Sequence, residues 1–248
     1  MRKGRRIGSS CFVQNRSSID QSLSALFDAE RSVRRLHDEL AQMPQDTLLD
    51  ALGDALAAAL REPDEDEGAL RLTRIASLLG ELEGPRVVDA LIDVLSSEHP
   101  EARRAAGEQL EVLSFDRFKE VALGVERALK RLPVGSPALP ELPYILAEVP
   151  EPGVTKVIGQ FLRHEDADSV AAAIEALVQI GDPAVARLIE PLVDDTRVVE
   201  LEEDGSDATT EVTIGELAEE ALDMLEGSDE EGDEPDGGGK APPNGRPS

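Results

Sequence analysis

Apolar residues return along this chain at steps of three and four, in short stretches set at nearly even intervals. One stripe, Val87-Val88, Leu91-Ile92 and Val94-Leu95, opens at Pro85; others open at Asp116, Pro152 and Pro183, which follow at intervals of 31, 36 and 31 residues. Steps of three and four put apolar side chains on one face of an α-helix. A second helical stretch precedes each opening, so the unit is a helix pair. Leu70–Leu82 pairs with Pro85–Ser97, Pro100–Leu113 with Asp116–Leu132, Pro137–Val149 with Pro152–Arg163, and Asp166–Ile180 with Pro183–Val193. A pair this short cannot bury its apolar faces alone and must stack on copies of itself. The expected fold is all-α, an α-solenoid of antiparallel helix pairs over residues 69–226.

Turn chemistry supports this phase. Gly181 suits the left-handed close of one helix, Asp182 can cap the next, and Pro183 sits where a missing N–H costs nothing. Ser136-Pro137 repeats that arrangement and Gly84-Pro85 is a looser copy. Upstream, residues 17–61 read as a helical hairpin cap: a helix over 18–43, then one capped by Asp46-Thr47. Ile19, Leu23, Leu26, Val33 and Leu40 make the first an amphipathic helix, interrupted by Glu30 and His37. It can pair with a second copy as a coiled coil or fold back on its neighbour. Residues 62–68 read as an acidic linker. Near the C-terminal end, 196–201 and 209–214 are β-prone and predict a short hairpin or loop insertion. Thr213 and Glu216 then form a capping box for a last helix.

Composition fits helix-on-helix packing: Leu, Ala, Val and Ile dominate, with five Phe, one Tyr and no Trp. The formal net charge is −27, unevenly spread. Residues 1–16 carry five cations and no acid, and read as a disordered basic arm. Arg5-Arg6 and Ser9-Ser10-Cys11 resemble export-signal elements, but Ile7–Val13 is too short and polar for an apolar signal core. The expected location is cytoplasmic. Residues 227–248 are acidic, then Gly- and Pro-rich, and read as a disordered tail. The body between is about −28 and repels phosphate backbones, which disfavours general nucleic-acid binding. No stretch is long and apolar enough for a membrane span.

Asp182-Pro-Ala-Val185 and Gly84-Pro-Arg-Val87, with the closing Val212-Thr-Ile-Gly-Glu-Leu-Ala-Glu-Glu-Ala-Leu222, resemble bacterial HEAT-like repeats of the phycobilisome-lyase type. Ser114-Phe-Asp-Arg-Phe departs from that opening in the second repeat. The resemblance implies a scaffold or adaptor that binds a protein partner on its concave face, lined by the second helices. Two alternatives stay open: a lyase of the phycobilin type, and an acidic surface that mimics nucleic acid to occupy a basic protein.

The motif search finds no catalytic constellation and no cofactor fingerprint. His37, His99 and His164 share no ligand spacing, Cys11 is the one cysteine, and P-loop, dinucleotide and serine-elbow motifs are absent. The expectation is a non-enzyme without metal or cofactor. Positive charge is the better signal, since nine of the body's 18 Lys and Arg fall on the predicted second helices. Counting four residues from each opening gives Asp89, Glu120, Lys156 and Arg187; seven further on in the middle repeats gives Arg127 and Arg163. These six form the candidate partner-binding strip, acidic at its N-terminal end and basic at its C-terminal end.

Overall fold

The computed structural model describes residues 9–202 and 209–230. The chain is all-α apart from one small hairpin. Ten α-helices occur among the described residues: α1 (Ser9–Ala41), α2 (Gln45–Ala59), α3 (Glu65–Leu79), α4 (Pro85–Leu95), α5 (Pro100–Arg131), α6 (Ala138–Ala147), α7 (Val154–Ile158), α8 (Ala167–Ile180), α9 (Ala186–Ile189) and α10 (Ile214–Glu230). Short 3-10 turns follow α7 and flank α9. Strands β1 (Val198–Glu202) and β2 (Thr209–Thr213) pair antiparallel, Val198 opposite Thr213 and Glu202 opposite Thr209. The main helix contacts join elements one or two places apart in the chain: α3 on α2 and α5, α4 on α5, α6 on α8, α8 on α10. One aliphatic core runs from Leu48 to Leu225 through these contacts.

Local chemistry explains where most helices begin. At α4, Gly84 takes a positive φ of 105° and Pro85 occupies the first turn, which turns Leu91, Ile92, Val94 and Leu95 fully inward. Asp166 caps α8 by accepting from the Ser169 backbone N–H at 2.8 Å, and Gly181 ends that helix left-handed at φ 69°. Asp182 then accepts from the Ala184 N–H at 2.9 Å. At α10 the expected capping box is present: the Glu216 N–H donates to Thr213 Oγ1 at 3.1 Å, and the Thr213 N–H to Glu216 Oε2 at 2.8 Å.

Several elements depart from the sequence reading. The 62–68 segment is largely the first turn of α3, not a linker. Asp64 caps that turn by accepting from the Glu67 N–H at 3.1 Å, and Glu65, Asp66 and Glu67 sit where the helix dipole favours negative charge. Asp46-Thr47 does not cap α2; Gln45 bridges instead to the backbone of Glu83, donating to its carbonyl at 2.9 Å. The Ser136 hydroxyl meets Ser96 Oγ at 3.1 Å rather than capping α6. The second pair is fused into α5, with non-helical backbone at Arg117, one residue beyond the expected opening at Asp116.

The arm read as disordered over 1–16 is helical from Ser9, where α1 begins, and the tail read as disordered from 227 continues α10 as far as Glu230; residues 1–8 and 231–248 lie outside the described residues. Only the end of α1 seats on the body, where Val33, His37 and Ala41 are half-buried and His37 Nε2 lies 2.6 Å from Glu81 Oε1. Residues 16–31 of this helix are exposed throughout.

Close packing of α4 on α5 depends on Gly124. A methyl group there would collide with Cγ1 of buried Val88. Ala is the better helix former by about 1 kcal/mol, but overpacking costs about 1–3. Gly124→Ala should therefore lower stability by up to about 2 kcal/mol in urea unfolding. Adding Val88→Ala makes room, so the double variant should cost less than the two single losses summed; additive losses would contradict the contact.

Candidate functional site

The six strip residues divide into two groups. Asp89 on α4 and Arg127 on α5 meet each other: the guanidinium spans the carboxylate, with Nε 3.0 and 3.2 Å and Nη2 2.9 Å from its oxygens. Arg127 Nη2 also donates to the Pro85 carbonyl at 3.3 Å. One turn on, Arg131 pairs with Asp93 and donates to the Asp89 carbonyl at 3.1 Å. Glu120 lies 3.6 Å from Arg117, whose other nitrogen donates to the Leu82 carbonyl at 3.0 Å. The next rung is uncharged on one side, where Gln160 donates to Glu126 at 3.1 Å. The acidic end of the strip is thus consumed internally, as a ladder that ties α4 to the second half of α5 and that half to Gln160 beyond α7. Forked guanidinium–carboxylate geometry suits that fixed register.

Lys156 on α7, Arg163 in the following 3-10 turn and Arg187 on α9 are different. All three are exposed, and none has an ion pair among the described residues. Lys119 and Lys130 on α5 are also exposed and outside every described ion pair. Beside the paired group lies an open depression of about 640 Å³, whose lining includes Arg117, Lys119 and Arg127, the acids Asp116, Glu120 and Glu151, and apolar Phe118 and Leu123. The depression carries both signs of charge around a small apolar floor, and Lys156, Arg163 and Arg187 lie outside its lining.

The three histidines have structural partners. His37 meets Glu81, and the His164 Nδ1 accepts the Asp166 N–H at 3.2 Å. His99 lies over Gly68, 3.1 Å from where a β-carbon would stand. Among the described residues no group of three or more His, Cys, Asp or Glu is placed to hold a metal ion, and no helix is long and apolar enough to cross a membrane.

Sequence reasoning missed a second hollow, of about 820 Å³, between α6, α8, β1 and α10. Ala171, Ile174, Val178, Val199 and Leu217 give it an apolar wall, and Asp168, Glu175, Glu200 and Glu220 an acidic rim. Tyr144 stands at its mouth and donates to Glu175 Oε2 at 2.6 Å. Its only advance signal was that Tyr144 is the sole tyrosine of the chain.

Burial, then the hydrogen bond and charge of Glu175, push the Tyr144 hydroxyl above its ordinary range. A raised folded-state value means the folded chain holds this proton more tightly than the unfolded one. The associated stability is intact below about pH 10 and falls as pH rises beyond it. With one Tyr and no Trp, tyrosinate absorbance is a clean readout. It should emerge in the folded protein well above the pH at which it emerges in denaturant, and Glu175→Gln should narrow the gap; coincident titrations would contradict this environment.

No family profile matches the chain. No curated protein matches it. Among solved structures, it is similar at 19% identity to an engineered protein whose crystal structure comes from the Northeast Structural Genomics Consortium, covering 81% of this chain and 91% of that one. The TM-score is 0.33, too low for the likeness to carry an argument.

Proposed function

We infer that the protein is a non-catalytic adaptor built as a HEAT-like solenoid, which binds an acidic segment of a protein partner along the second helices on its concave side. The main helix contacts, which join helices one or two places apart in chain order, support the stacked architecture. The observation that carries the binding reading is the contrast within the strip. In a chain of net charge −27, Arg117, Arg127 and Arg131 are engaged by acids, while Lys156, Arg163 and Arg187 stand bare on the two repeats that follow. Three cations in succession that no internal carboxylate occupies offer an acidic segment both charge and hydrogen-bond donors, which favours and orients its docking. The sequence reading expected an acidic docking end as well. The Asp89–Arg127 pairing removes it, so the adaptor's recognition falls on the C-terminal half of the strip.

The reading is tested by affinity purification of the tagged chain from its native cells, followed by binding measurements with whatever co-purifies. Lys156→Glu with Arg187→Glu should weaken capture at least tenfold and leave the melting temperature within a few degrees, since both side chains are exposed. Asp89→Ala, which releases Arg127, should not weaken capture and should slightly lower stability, by up to about 1 kcal/mol for a half-exposed pair. Undiminished capture by the charge-reversed variant would contradict the assignment.

A further inference from the structure

The apolar face of α1 does not stop where the body stops. Ile19 and Leu23 stand 18 residues before His37 and Ala41, which face the body. Eighteen residues are about five turns of α-helix, so all four point in the same direction. Along the overhang this face holds Ile19, Leu23, Leu26 and Phe27, exposed by 52%, 44%, 55% and 54%. A lone helix of this length gains little from its own hydrogen bonds in water, and a continuous stripe of this kind calls for a cover.

The order of residues on that face identifies the cover. Arg16, Ile19, Leu23, Phe27 and Glu30 follow at steps of three, four, four and three, which keeps them on one side of the helix. The pattern is symmetric about Leu23 in spacing and in apolar character, and antisymmetric in charge at its ends. Neither Arg16 nor Glu30 has a partner within its own chain among the described residues. An isologous two-fold contact requires residue i to meet j while j meets i. We propose that the overhang of α1 pairs antiparallel with the same segment of a second copy, about a two-fold axis at Leu23. Leu23 then meets its own copy, Ile19 meets Phe27, and Arg16 meets Glu30, each of the latter contacts occurring twice.

Antiparallel order also follows from the body. The stripe shares its side with the residues that seat on α2 and α3, so a parallel partner would run into that hairpin and bring two strongly acidic bodies together. The antiparallel pair sends the bodies to opposite ends.

Light scattering coupled to size exclusion on the full chain tests this. The expected mass is about twice 26.6 kDa at micromolar concentration. Leu23→Glu should give a monomer with unchanged melting of the body, because Leu23 is exposed on the overhang, away from the part of α1 that seats on the body. Arg16→Glu should weaken the dimer several-fold to about tenfold, and adding Glu30→Arg should restore it. A wild-type monomer at about 100 μM, a dimer that survives Leu23→Glu, or a double charge swap no better than the single change would each overturn the proposal. Discrimination by the swap excludes a parallel pair, in which Arg16 meets Arg16.

Discussion

The whole structure depends on one requirement: each short helix must have its aliphatic stripe covered by a neighbour. α4 is eleven residues long and turns Leu91, Ile92, Val94 and Leu95 completely away from solvent. No helix of that length does this alone. Its cover comes from α3 and the two halves of α5, which are in turn covered by α2 and α6. Burial of such side chains contributes roughly 1.5–3 kcal/mol each, and that gain exists only when the helices are packed together. Where the requirement is left unmet, on the α1 overhang, the exposed stripe becomes the chain's most conspicuous unsatisfied surface.

Polar contacts hold the register of that packing instead of driving it. The Arg127–Asp89 and Arg131–Asp93 pairs link residues 38 apart in sequence and join α4 to the second half of α5. Buried Asp166 performs the equivalent task farther on, accepting from the Gly135 N–H at 2.5 Å as well as capping α8. Arg197 fastens the hairpin by donating to the His164 carbonyl at 2.7 Å, while Asp195 neutralises its charge at 2.6 Å. Cations spent on register are unavailable for a partner. Ion pairing thus distinguishes the N-terminal half of the strip from the C-terminal half, where Lys156, Arg163 and Arg187 have no ion pair among the described residues.

Much of the fold was legible because punctuation and periodicity agreed. Gly181-Asp182-Pro183 and the Thr213–Glu216 box each performed the role their chemistry dictates. Where reading failed, two local options competed and a distant residue decided. Gln45 rather than Asp46 organises the start of α2 because the Glu83 backbone lies within reach. Ser136 turns to Ser96, 40 residues away. The acidic 62–68 segment was misread because its carboxylates suggested solvation, whereas Asp64 as a cap makes them a favourable first turn. Within the candidate site, the positions were legible and the pairing was not. Asp89 and Arg127 differ by one repeat plus two helical turns, a step that periodicity contains but does not single out. The hollow at Tyr144 was out of reach, since four elements from 138 to 230 build it.

Native-state hydrogen exchange after Leu91→Ala tests most directly whether neighbours alone hold each helix. The leucine is fully buried, so its truncation costs about 2–5 kcal/mol at the site. The account predicts that amide protection falls in α3, α4 and α5 while α8 and α10 keep theirs. Equal loss of protection in every helix would show a single all-or-none core and contradict it.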